Sequence, residues 1–264
     1  MTQMPKHRRA YPTDLSDRQW AAIADLVPDA LPGGRPRRAA SRELVNAILY
    51  ALRAGHAWRL LPHDFPPWQT VYYYPRRWQA EGVWVRINHA VLTADRERVG
   101  REASPSAAII DSQSVRTGDK GGSKGYDAGK KIAGRKRHNL TDIDGCLLAV
   151  QVQSASVQDR DGAKPLLRAS RRLWCFVRTV FDDGGYAGKL VEWARGKTHL
   201  TLQIVKRPRA LPRFEPLPRR WVVERSCAWL IKQRRLLRDL EQRTDVAETL
   251  ILIAATATML RRIA

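Results

Sequence analysis

Ile109-Ile110-Asp111 and Val180-Phe181-Asp182-Asp183-Gly184-Gly185-Tyr186 are apolar runs that close on carboxylates. A third acid, Glu224, sits in a segment otherwise made of Trp221, Val222, Val223, Ala228, Trp229 and Leu230. A charge at the end of an apolar strand is unfavourable unless something pairs with it, and in an open α/β sheet the strand ends are where ligands sit. Two aspartates and a glutamate converging near a sheet can hold two hard divalent ions about 3.5–4 Å apart, the arrangement for in-line displacement at a phosphodiester. Spacing alone leaves a second reading open, in which each acid answers one of the chain's many arginines. Adjacent strand residues point to opposite faces, so only one of Asp182 and Asp183 can face such ions.

No other residue types offer a metal site. Cys146, Cys175 and Cys227 form no CxxC pair, and the six histidines include no HExxH. The cysteines read as small buried or half-buried residues of a reducing compartment. The 264 residues carry 47 Lys and Arg against 26 Asp and Glu, a net charge of +21, which predicts a polyanionic partner, nucleic acid first. No apolar run reaches the roughly 20 residues of a membrane span. The polar, basic start shows no secretory signal, so a cytoplasmic protein is expected.

Two textures position these acids. Residues 15–100 predict helices and short loops. Leu15–Val27 carries an apolar stripe, Ser41 caps a helix running to Ala54 with Gly55 as its stop, and further helices cover Trp68–Ala80 and Val83–Asp95. Such helices suit a helix-turn-helix-like module. From about residue 101 the pattern turns to strands at Ala107–Asp111, Cys146–Gln153, Phe176–Asp183 and Leu200–Lys206, with helices between and after them. A mixed α/β sheet with helices on both faces follows. The expected division is therefore 1–100, helical and DNA-binding, and 101–264, catalytic. Arg116–Arg137 holds eight Lys or Arg and six Gly in 22 residues. That composition predicts a flexible connector or a loop moulded to phosphates, not core. From Arg219 a helix is expected to run past Arg235, which shares a stripe with Glu224, and Val246–Arg262 to close the fold. Pro75 predicts a later start or a kink in the helix around it.

At this point the chain resembles a known family. Asp111-Ser112-Gln113-Ser114-Val115, Gly125-Tyr126-Asp127-Ala128-Gly129-Lys130-Lys131, Gly134-Arg135-Lys136-Arg137-His138, Gln158-Asp159-Arg160-Asp161-Gly162-Ala163, Asp183-Gly184-Gly185-Tyr186 and Arg220-Trp221-Val222-Val223-Glu224-Arg225 are similar to motifs of bacterial DDE transposases of the IS4/IS5-like group. Leu60–Trp68 and Thr70–Tyr74 resemble the N-terminal domain of the same family. The resemblance implies an RNase H-like mixed sheet flanked by helices and preceded by an all-helical DNA-binding domain. It implies a triad of Asp111, Asp183 and Glu224, two Mg2+ or Mn2+ ions, and cut-and-insert chemistry on an element's own terminal inverted repeats and on target DNA. A homodimer or larger assembly on DNA is expected, because two ends must be handled together. The cations expected to meet DNA are Arg35, Arg37, Arg38, Arg76, Arg77, Lys124, Lys130, Lys131, Arg135, Lys136, Arg137 and Arg220. The related tyrosine–arginine–glutamate–lysine signature would place Tyr at 217 and Lys at 231. Leu217 and Ile231 stand there instead, with Lys232 about 80° off the Glu224 face. Two rival readings are a non-catalytic DNA-binding regulator and a metal-dependent nuclease that cuts without joining.

Overall fold

A computed structural model describes residues 8–29, 37, 39–118, 122–205 and 220–263, with the side chains of Arg220 and Val223 left aside. The N-terminal part is helical: α1 (Asp17–Ala21), α2 (Ser41–Ala54), α3 (Trp68–Ala80) and α4 (Val83–Arg98). Ser16 and Gln19 form a capping box at the start of α1. Helix α2 begins at Ser41 itself and ends at Gly55, whose φ of 75° is left-handed and whose N–H reaches Ala51 O at 3.0 Å. Pro75 lies buried inside α3, and the helix is assigned without interruption from Trp68 through it to Ala80. Its missing N–H costs the backbone bond to Val71 O, while its own carbonyl accepts the Trp84 indole N–H at 3.2 Å. The expected later start is therefore not found.

The sheet comprises β1 (Ala107–Arg116), β2 (Gly125–Asp127), β3 (Ile132–Asp142), β4 (Leu147–Ser154), β5 (Thr179–Asp182) and β6 (Thr201–Ile204). Its order is β2-β3-β1-β5-β6, with β4 also on β3. The β1–β3, β2–β3 and β3–β4 pairs are antiparallel, and β1–β5 and β5–β6 are parallel. Helices α5 (Asp159–Leu173) and α6 (Lys189–Thr198) join the parallel strands. Helices α7 (Arg220–Ile231) and α8 (Thr244–Ile263) follow the sheet.

One core unites the two textures. Leu44, Ile48 and Leu52 of α2, Val91 and Leu92 of α4, Leu140 and Leu148 of the sheet, and Leu250 and Ile253 of α8 belong to a single buried cluster. Helix α8 lies at its centre, packed against α4, α3 and α2 on one side and β4 on the other. An apolar helix between two layers explains why its sequence shows no polar face to water.

Arg116–Arg137 departs from expectation. Strand β1 runs on to Arg116, β2 forms within the segment, and β3 begins at Ile132. Arg135, Lys136 and Arg137 are buried, at 0%, 4% and 1% exposure. Composition misled here because the countercharges and acceptors are far off in sequence. Arg135 meets Asp239 at 3.0 Å, Glu241 O at 2.7 Å and Gln242 O at 2.7 Å, and Arg137 donates to Leu236 O at 2.8 Å. Helix α7 also stops short, at Ile231, and Arg234–Leu236 is a 3-10 turn.

Candidate active site

Register places two of the three acids. In the parallel pair β1–β5, Ile109 faces Phe181. Ile109 and Phe181 pack with Val222 of α7 in a small apolar cluster. Side chains alternate along a strand, so the next residues on that same side are Asp111 and Asp183. Asp183 keeps extended backbone (φ −94°, ψ −179°) as the cap of the 3-10 turn Gly184–Tyr186, and its carboxylate accepts the Gly185 N–H at 2.8 Å. Asp111 is half-buried within β1, which continues five residues beyond it, so it does not end a strand as its local sequence implies.

Asp182 points the other way. It is 1% exposed, one of its oxygens accepts the Asp183 N–H, and the other is buried without a hydrogen-bond partner. Burial first, then the charges of Asp183, Asp111 and Asp159, push its carboxyl up to about 9, against the pull of the Asp183 N–H. Asp183, Asp111 and Asp159 therefore all lie within electrostatic reach of Asp182. An added Cβ on Gly185 would lie 3.0 Å from Asp183 Oδ1 and 4.0 Å from Asp159 Oδ2, so glycine keeps that approach open.

Helix α7 covers the Asp111 side. The single Ser226 hydroxyl proton is shared between Gly145 O at 2.8 Å and Val222 O at 2.9 Å, which ties the helix to the β3–β4 turn. Gly145 has φ 85°, and a Cβ there would meet Ser226 Oγ at 2.6 Å. Cys227 lies beneath the helix, where burial and the charge of Asp111 push its thiol up to about 11. Glu224 precedes Cys227 by three residues, making the two neighbours on the helix surface. It is exposed. Register and helix packing bring Asp111 and Asp183 to one face with α7 over it. Among the described residues no three His, Cys, Asp or Glu side chains are gathered closely enough to cage a metal. Hard carboxylate oxygens on one face of two adjacent strands suit a divalent ion of the magnesium type. The donor set fits such an ion as a two-aspartate platform.

A polar network lies across the sheet from α7, which sequence reasoning missed. Ser112, Ser114, Lys136 and His138 share one side of the β1–β3 pair. Ser114 donates to Asp127 at 2.6 Å, Lys130 Nζ reaches Ser112 O at 2.6 Å, and Lys136 bridges Asp127 and Asp159 at 3.2 and 2.8 Å. Against its burial, the Ser114 hydroxyl, the Lys130 backbone N–H and the Lys136 ammonium hold the Asp127 carboxyl at about 2. His138 is fully buried, and burial pushes it down to about 4. A Cβ on Gly162 would strike its ring at 2.2 Å, so glycine is what lets α5 close over it. The signal was present in the spacing of serines, aspartate and lysines, but it reads as basic composition until β3 is known to be a strand.

Family models match in two blocks. Residues 15–88 match "Putative transposase of IS4/5 family", and residues 102–260 match "Transposase DDE domain". The chain belongs to the DDE transposases of IS4/IS5 type. It is 30% identical over 114 residues to the insertion element IS402 uncharacterized 16.2 kDa protein of Burkholderia cepacia, across 39% of this chain and 72% of that protein. It is 32% identical over 102 residues to uncharacterized protein y4sN of Sinorhizobium fredii, across 39% of this chain and 75% of that one. Family membership makes the chain a DNA transposase enzyme with an RNase H-like fold, and it brings a general dependence on divalent metal ions. Among the described residues no helix is long and apolar enough to cross a membrane.

The transposase's expected DNA-contacting cations fall into distinct groups. Arg35 and Arg38 lie outside the described residues, as does the side chain of Arg220. Arg76, Lys124 and Lys131 are exposed. Arg77 is half-buried and pairs with Glu81 at 2.9 Å. Arg37 donates to Pro28 O at 3.3 Å and lies over the Tyr74 ring. Lys130 is turned onto Ser112. Arg135, Lys136 and Arg137 are enclosed and cannot reach a phosphate in this conformation, which corrects their assignment as surface contacts. Arg235, expected on the Glu224 stripe, is buried instead, paired with Glu241 at 2.6 Å and stacked on Trp58.

Proposed function

We propose that this transposase binds the terminal inverted repeats of its element, hydrolyses a phosphodiester at each end to free a 3′-hydroxyl, and joins that hydroxyl to target DNA. In this reading residues 1–100 contribute to end recognition and 101–264 carry the chemistry, in the cytoplasm on the nucleoid. Asp111, Asp183 and Glu224 form the catalytic set and would hold two divalent ions, Mg2+ or Mn2+. When bound, such ions supply activation of the attacking oxygen and stabilisation of the leaving 3′-oxygen. The observation that carries the proposal is the shared side of Asp111, on β1, and Asp183, one residue past the end of its parallel neighbour β5, beneath the helix that bears Glu224.

The protein's own part is orientation. Asp183 is fixed by the Gly185 N–H, and the β1 strand is held from behind by Lys130 and Ser114. Glu224, exposed on α7, would complete the site with DNA and metal bound. Cleavage and joining use one site because each is an in-line attack on phosphorus. Two ends handled together call for a dimer or larger assembly on DNA.

The test is strand transfer with pre-cleaved end DNA carrying the terminal inverted repeat, in the presence of Mg2+. Joined products dependent on Glu224 support the proposal, with Glu224→Gln leaving DNA binding intact. Cutting of uncleaved ends with no joining at all would reduce the protein to a nuclease.

A further inference from the structure

Beside α7, on the flank away from Asp111, lies a cleft of about 380 Å3 formed by the end of α4, the β3–β4 turn and the ends of α7 and α8. Arg98, Arg101, Arg225 and Arg262 face it, together with Asp95 and Asp144. Arg96, at its back, is occupied by Asp142 at 2.7 Å. Arg98 and Arg262 share Asp95, at 2.8 and 3.2 Å, and Arg101 takes Asp144 at 2.5 Å. Four arginines therefore answer to two aspartates, and the cleft keeps a surplus of positive charge. The side chains of Arg98 and Arg101 are 44% and 41% exposed, so that surplus faces solvent.

Arg225 is the preorganised member. Its guanidinium stacks between Trp221 and Trp229, 4.3 and 4.8 Å from the ring centroids, and Arg262 lies over Trp229 at 4.5 Å. One nitrogen donates to Asp144 O at 2.9 Å, and the buried Nε has no hydrogen-bond partner. A guanidinium held flat between indoles has lost little further freedom when it binds, and its fork matches phosphate oxygens.

We infer that this cleft binds the phosphodiester backbone of the DNA strand that leaves the acid site across α7. Glu224 and Arg225 are successive residues on the exposed side of that helix, with Trp221 between them in angle. A helix is about 10–12 Å across. At about 3.4 Å of rise per nucleotide, a strand crossing it brings a phosphate only a few positions from the scissile one into the cleft. The inference deepens the function proposed above and rests on Asp111, Asp183 and Glu224 being the reacting site.

The experiment measures binding of the full chain to a mixed-sequence DNA duplex over a range of salt. Each lost phosphate contact lowers the slope of log affinity against log salt by about 0.9. The Arg98→Gln, Arg101→Gln double variant changes exposed side chains, and its thermal melt checks folding. It is expected to lower the slope by about two and to weaken binding about 10–100-fold. The control variant Arg172→Gln, Arg195→Gln removes the same charge from exposed positions on α5 and α6 and is expected to leave the slope unchanged. Arg225→Lys keeps the charge but loses the plane and the fork, and is expected to bind several-fold more weakly at an unchanged slope. Inorganic phosphate at matched ionic strength should not displace the duplex. A cleft variant that binds like the parent, a control that loses as much, or displacement by inorganic phosphate would overturn the inference and leave the transposase reading standing. A flat salt response in the parent protein would bring down both.

Discussion

Strand β3 and the cleft beside α7 both concentrate arginine and use it in opposite ways. Arg135 is wholly enclosed, with Asp239, two carbonyls from the following loop and Ser123 O as partners. Arg137 is almost as deeply enclosed, and burial pushes its guanidinium down. Here the cation is a strut: it ties the sheet to the segment between α7 and α8. Arg98 and Arg101 also pair with aspartates but keep much of their side chains in solvent, and an ion pair exposed in this way contributes about 0–1 kcal/mol. Such charges do little for the fold and remain available to a ligand. A +21 chain is thus not uniformly a binding surface, since its most buried cations are already engaged.

The comparison breaks most sharply at Asp239. Asp239→Ala strands the Arg135 charge inside the protein, and removing one partner of a buried pair costs about 3–5 kcal/mol. Thermal melts should show a drop of about 2–4 °C for each kcal/mol lost. An unshifted melt would mean that Arg135 is not a strut.

Glu248 supplies an intermediate case: a half-buried carboxyl with no cation beside it among the described residues, whose oxygen accepts the Val152 N–H at 2.8 Å. Burial pushes it from an ordinary 4.5 up to about 7. Its folded-state pKa exceeds the unfolded one, so its contribution to stability is complete below about 4.5 and is lost as pH rises through about 7. Glu248→Gln keeps the acceptor and should remove that decline, with melts converging on the parent at acid pH. Parallel pH profiles would refute this. The effect should be smaller than that at Asp239.

Much of the architecture was legible because it rests on local patterns. The helices at Ser41–Ala54, Trp68–Ala80 and Val83–Arg98, the strand near Cys146–Gln153 and the closing helix follow apolar spacing and glycine stops. That Asp182 and Asp183 face opposite ways was legible as well, from alternation along a strand; the choice of Asp183 as the working acid came from the resemblance. What could not be read was any feature whose partner is distant. Nothing near Arg135 in sequence announces Asp239, and nothing near Pro75 announces that Trp84 will use its carbonyl. The cleft at Arg225 likewise draws its arginines from α4 and the segment after it, α7 and α8, and its aspartates from α4 and the β3–β4 turn, so no window of sequence contains it.

The central claim is that Asp183, on the face of Asp111, works in the site while Asp182, on the opposite face, does not. Cleavage of end DNA with Mg2+ should be compared in Asp183→Asn and Asp182→Asn, with DNA binding measured alongside. Asp183→Asn is expected to cleave about 10²–10³-fold more slowly or worse at unchanged binding, and Asp182→Asn to stay within a few-fold of the parent. An active Asp183→Asn beside an inactive, folded Asp182→Asn would contradict that claim.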